Sequence, residues 1–167
     1  MIGDAIRLVL TNSPTILFVA AFACAWLVAS SESVPARLLS WLLLLSVGVE
    51  NVWFGFLHMA FPGISAATIG WKPSPFEFEI GAADMALGVI AVVSFWRSLD
   101  FKAAVVIYVT LFYLGVAAIH IQEAAMAGNF APNNFGMLLI LTLIKMVLLP
   151  ILYVRIRWAE CEATARA

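Results

Sequence analysis

"PSPFEFEIGAADMALGV", residues 73–89, begins as a helix start and places Glu77, Glu79 and Asp84 early in an apolar run that continues to residue 96. Proline and serine ahead of an apolar segment mark a helix N-terminus. The length suits a membrane crossing, which takes about 20 apolar residues. A charged side chain at the centre of such a helix costs about 2.5–3.5 kcal/mol on insertion scales. Three carboxylates in one apolar helix therefore point to a buried polar site inside a helical bundle.

The rest of the chain fits that reading. Of 167 residues, 64% are hydrophobic and 11% charged, against roughly 45–50% and 25% in soluble domains. This is the composition of an all-α integral membrane bundle. Apolar runs lie near 14–30, 38–61, 75–96, 102–127 and 135–157, which gives about five spans in one domain over 1–158 and a solvated tail over 159–167. The breaks between runs, such as "SESVPAR" and "GNFAPNN", are rich in turn formers. "LVASS" at 27–31 offers small residues of the kind found at signal-peptide cleavage sites; the stretch before it reads as a mature first helix. Cys24 sits in an apolar run and Cys161 in the tail, so no disulfide is expected. A net charge of −1 with no basic run excludes nucleic acid. The bilayer itself is the expected partner.

Orientation follows from the basic residues of the connections. Five spans put Arg37, Arg97, Lys102, Arg155, Arg157 and Arg166 on one side, and Arg7 and Lys72 on the other. The N-terminus is then outside and the C-terminus cytoplasmic. The longest connection, 62–74, faces outward with Trp71 and is long enough to act as a lid.

Glu50, Glu77, Glu79, Asp84 and Glu123, half of the ten acidic residues, fall inside predicted spans with His58, His120 and Lys145. Packing alone would use Ser, Thr and Gly at lower cost. With ~1.5 Å of rise per residue, Glu50, Asp84 and Lys145 lie at span centres, and His58, Glu79, His120 and Glu123 lie roughly 9–14 Å from them. Because the chain alternates direction, all four fall in the same, outer half. Glu77 has a local explanation: Ser74-Pro75-Phe76-Glu77 fits a capping box, so it is set apart from the site.

His120 and Glu123 form H-x-x-E and share a helix face, with Tyr113 seven residues earlier. His58 shares its face with Asn51 and Gly55. Two histidines and two carboxylates from three helices make a first shell for a transition metal, zinc or iron. The expected metal set is His58, Glu79, His120 and Glu123. A di-iron bundle would want two Glu-x-x-His pairs, which the chain lacks. Beneath this set, Asp84 is expected to pair with Lys145, with Glu50 as competitor, in a buried charge or proton network. Gly81 and Gly88 flank Asp84 and allow close approach of a neighbouring helix.

Three functions suit this inventory. One is a metalloenzyme acting on a membrane-soluble substrate. A second is a metal-free isomerase or cyclase that transfers protons on a lipid or isoprenoid. That class should show an elongated apolar cavity reaching the carboxylates. The third is a proton-coupled carrier or channel, against which stands the absence of inverted repeats in the sequence.

"GFLHMAFPG" at 55–63 followed by "SPFEFEIGAADMALGV" at 74–89 resembles a signature of a family of small bacterial membrane proteins of unknown function. The resemblance spans roughly residues 48–90. It implies a multi-pass protein of a bacterial inner membrane, of four or five helices, and assigns no activity.

Overall fold

Serine and proline set helix starts, and glycine sets two of the ends. The computed structural model describes the backbone of residues 2–166 and the side chains of residues 12–166, so Arg7 lies outside the described side chains. Among these residues the chain forms α1 (Ile2–Leu27), α2 (Val34–Ala60), α3 (Pro62–Ile69), α4 (Phe76–Ser94), α5 (Leu99–Ala127) and α6 (Met137–Arg166), with no strand. Ser33 Oγ accepts from Ala36 N at the start of α2, and Ser98 Oγ accepts from Phe101 N at the start of α5. Gly70 (φ 80°) and Gly128 (φ 65°) close α3 and α5 in the left-handed conformation that favours glycine.

Among the described residues, three helices are long and apolar enough to cross a membrane: α2, α5 and α6. They leave large apolar side chains uncovered, among them Val147, Ile151 and Val154 on α6, each about half exposed. α4 has 19 residues and carries the three carboxylates. The 62–74 connection contains α3. The expected tail, 159–167, continues α6 as far as Arg166. The apolar run stops there, but helix propensity and the Arg157–Glu160 and Arg166–Glu162 pairs extend the helix into the polar segment.

α2 and α4 run antiparallel in near backbone contact. A Cβ added to Gly55 would meet Gly81 O at 2.7 Å, and one added to Gly88 would meet Val52 N at 2.5 Å and Gly48 O at 2.8 Å. Two glycines spaced by seven on each helix thus let the backbones touch. This confirms the expected close face of α4 and identifies its partner. Within α2, Leu42–Val49 winds as a π-helix, a wide-turn form frequent at functional sites.

The apolar core fills one half of the bundle. It joins Leu39, Leu42, Leu43 and Val47 of α2 to Leu87 and Ala91 of α4, Val105, Val106 and Val109 of α5, and Leu149 and Leu152 of α6. The same end gathers basic groups: Lys102 Nζ donates to Arg97 O at 2.9 Å, and Arg157 pairs with Asp100. At the other end, the α3 connection docks on the 128–136 connection. Asn129 Nδ2 donates to Ile69 O at 3.0 Å, and Asn133 N to Thr68 O at 3.3 Å.

Candidate functional site

The half of the bundle that lacks the core encloses a cavity of about 1160 Å³. Its walls come from α2 to α6 and are largely apolar, with Phe54, Leu57, Ile80, Ala83, Phe112 and Val116 among them. Ionisable groups line it at two levels. The upper contains His58, Glu77 and His120, and the lower contains Glu50, Asp84 and Tyr113. Eight residues of α2 separate His58 from Glu50, roughly 12 Å along the helix.

At the upper level His58 Nδ1 lies 2.7 Å from Glu77 Oε2, with side-chain exposures of 13% and 7%. The glycine contact produces this pair. His58 follows Gly55 by three residues and Glu77 precedes Gly81 by four, so the two side chains meet one turn beyond the point where the backbones touch. An ionised carboxylate only accepts, so Nδ1 carries the proton in this contact. A carboxylate-oriented imidazole is the arrangement of a general base.

His120, on α5, is held differently. Its Nδ1 donates to Asn134 Oδ1 at 2.6 Å, and Asn134 Nδ2 donates back to His120 O at 3.2 Å and to Asn129 O at 2.7 Å. Asn134 is fully buried. The Trp71 ring stacks on the imidazole at 5.6 Å and 13°. The residue expected to cover the site therefore does touch it, and the asparagine-rich connection locks His120 from the other side.

At the lower level Lys145 Nζ donates to Glu50 Oε1 at 2.7 Å and to Ser46 O at 2.9 Å, and it sits 5.1 Å over the Tyr113 ring. Ser46 belongs to the π-helical stretch, and its carbonyl reaches a side chain on α6. Asn51 Nδ2 bridges Val47 O at 2.7 Å and Tyr113 Oη at 3.0 Å. Asp84 lines the cavity beside this network, 7% exposed, and makes no hydrogen bond to another described residue.

Several sequence expectations change. Lys145 pairs with Glu50, the expected competitor, and not with Asp84. The capping box does not form: α4 starts at Phe76 with no side-chain cap, and Glu77 turns instead to His58. Tyr113, expected beside His120, belongs to the lower level. The four expected metal ligands do not gather. No group of three or more His, Cys, Asp or Glu residues among those described is placed to hold a metal ion. His58 and His120 spend one ring nitrogen each on Glu77 and Asn134, Glu79 lies at the exposed edge of the cavity, and Glu123 is not among the lining residues. A zinc or iron site is not supported by this donor geometry. Glu77 and Asn134 are the histidine partners that sequence reasoning missed. A "PNN" run after a glycine reads as a plain loop, and no signal in it points to a histidine fourteen residues earlier.

A family model described as "Family of unknown function (DUF6790)" matches residues 11–162 of the chain. No curated protein and no solved structure matches it.

Proposed function

The chain belongs to that family of unknown function, and we propose that it is a multi-pass membrane protein whose cavity takes a lipid-like molecule and transfers protons on it. The reaction class is acid–base isomerisation or cyclisation, with the His58–Glu77 pair as the proton-transferring group. The observation that carries this reading is the position of the pair. A half-buried imidazole oriented by a buried carboxylate lines a large apolar cavity. An elongated apolar cavity reaching carboxylates is what separates this class from a metal enzyme.

The membrane arrangement is part of the proposal. α1, α2, α4, α5 and α6 are the five spans of a bacterial inner-membrane protein, within a domain over 1–158. The basic end, with Arg37, Arg97, Lys102, Arg155 and Arg157, faces the cytoplasm. The cavity then lies in the outer half of the bilayer under Trp71, and the end of α6 after residue 158 is cytoplasmic. Cys161 is exposed and Cys24 half-buried, so a membrane-impermeant thiol reagent reads the orientation directly. Labelling of Cys161 in inverted vesicles, and not in right-side-out ones, is expected. The reverse result overturns the orientation.

The functional test starts from the protein purified without exposure to exogenous lipid. Organic extraction and mass spectrometry identify a co-purifying amphiphile, which is returned to the protein in D2O. Deuterium at a carbon of that molecule, lost in Glu77→Gln, is expected. No bound amphiphile, or a bound one that takes up no deuterium, overturns the proposal.

A further inference from the structure

We infer that the lower end of the cavity is a recognition subsite for a lipophilic ammonium ion, with Asp84 as its counter-ion. This rests on the reading that the cavity holds a lipid-like molecule, and it names the chemistry of that molecule's buried end.

The argument begins with the charges at the lower level: Glu50, Asp84 and Lys145. Lys145 is committed. It is fully buried, bound to Glu50 Oε1 and to Ser46 O, and packed over Tyr113. Two carboxylates and one ammonium leave one carboxyl group without a partner, and that group is Asp84. The residue is 7% exposed, lines the cavity, and has no hydrogen bond to a described residue. Glu50 Oε2 is sealed from the cavity without a partner, whereas the Asp84 oxygens are not sealed in this way. Asp84 is therefore the group a ligand can reach.

The remaining ionisable groups of the cavity do not neutralise it. Glu77 is engaged by His58, and its position on α4 is seven residues away, roughly 10 Å by helical rise. Lys72 and Glu79 lie at the exposed edge. A carboxylate among apolar walls is costly unless it is paired. A hydroxyl would donate one hydrogen bond and supply no opposite charge. An ammonium supplies the donor and the opposite charge together. The apolar walls above Asp84 receive its hydrocarbon chain.

The test compares N,N-dimethyldodecylamine, 1-dodecanol and their effect on the full chain in nanodiscs of zwitterionic lipid. Binding is read from the fluorescence of Trp53 and Trp71, which line the cavity, and from the melting temperature. The amine is expected to bind about tenfold or more tightly than the alcohol, the scale of a charge-assisted hydrogen bond. Asp84→Asn, close in shape and uncharged, is expected to remove that preference. Equal binding of the two probes by the wild-type chain overturns the inference without any variant. An undiminished preference in Asp84→Asn does so as well. Binding of the alcohol alone overturns the ammonium and leaves the cavity reading in place. Binding of neither probe overturns both.

Discussion

Lys145 Nζ donates to Glu50 Oε1 at 2.7 Å, between side chains 0% and 4% exposed, at the boundary between the packed core and the cavity. The ammonium also holds Ser46 O at 2.9 Å, so one lysine ties α6 to the π-helical turn of α2. The pair closes the floor of the cavity. Its removal has consequences for stability that differ from those for chemistry.

Replacing one member leaves the other charged and buried. Lys145→Met or Glu50→Gln is expected to cost about 3–5 kcal/mol of stability, while the double replacement Lys145→Met with Glu50→Met recovers most of it. Denaturant unfolding in detergent gives the coupling through the double-mutant cycle. Additive losses would mean that the two charges do not depend on each other.

The glycine contact between α2 and α4 leaves no room for a methyl group. Gly55→Ala and Gly88→Ala each meet backbone atoms within 2.7 Å, so the helices must separate, at about 1–3 kcal/mol. Gly115, on α5, has open space around its Cβ position. Gly115→Ala is expected to stabilise the helix by about 0.5–1 kcal/mol. A cross-link between cysteines placed on α2 and α4 reports the separation. Its undiminished formation in Gly55→Ala would contradict this account of the pair.

Glu77 orients His58, and the effect is visible without a substrate. Nitrogen NMR of the wild-type histidines is expected to show His58 protonated at Nδ1, with Glu77→Gln redistributing the tautomers. Proton transfer to the bound amphiphile is expected to fall by about 10²–10⁴-fold in His58→Gln. Glu79→Gln, changed at the exposed edge of the cavity, is expected to leave it within a few-fold. Equal losses at Glu77 and Glu79 would remove the special position given to the pair.

Asn134 locks the second histidine. Asn134→Ala leaves His120 Nδ1, His120 O and Asn129 O without their partner, at about 1–3 kcal/mol for a buried unsatisfied group. Hydrogen exchange in 128–136 and in the docked α3 connection is expected to rise together, since Asn129 and Asn133 join the two. Faster exchange confined to 128–136 would show that the connections move independently.

The amino-acid sequence by itself determined the helical class of the fold and the levels of the two histidines and of the midplane charges. Hydropathy bounds the apolar helices, and helical rise fixes depth, so His58 and His120 were placed at one level and Glu50, Asp84 and Lys145 at another. Those assignments need only the chain's axial coordinate. Which group touches which was decided by the tertiary structure, because a pairing depends on the rotation of each helix about its axis. Helices that are apolar all round carry little rotational signal, and the π-helical turn before Glu50 breaks the periodicity that would have supplied it. Hence Glu50 rather than Asp84 meets Lys145. Glu77 turns from a local capping role to His58 because the glycine contact brings α2 within reach.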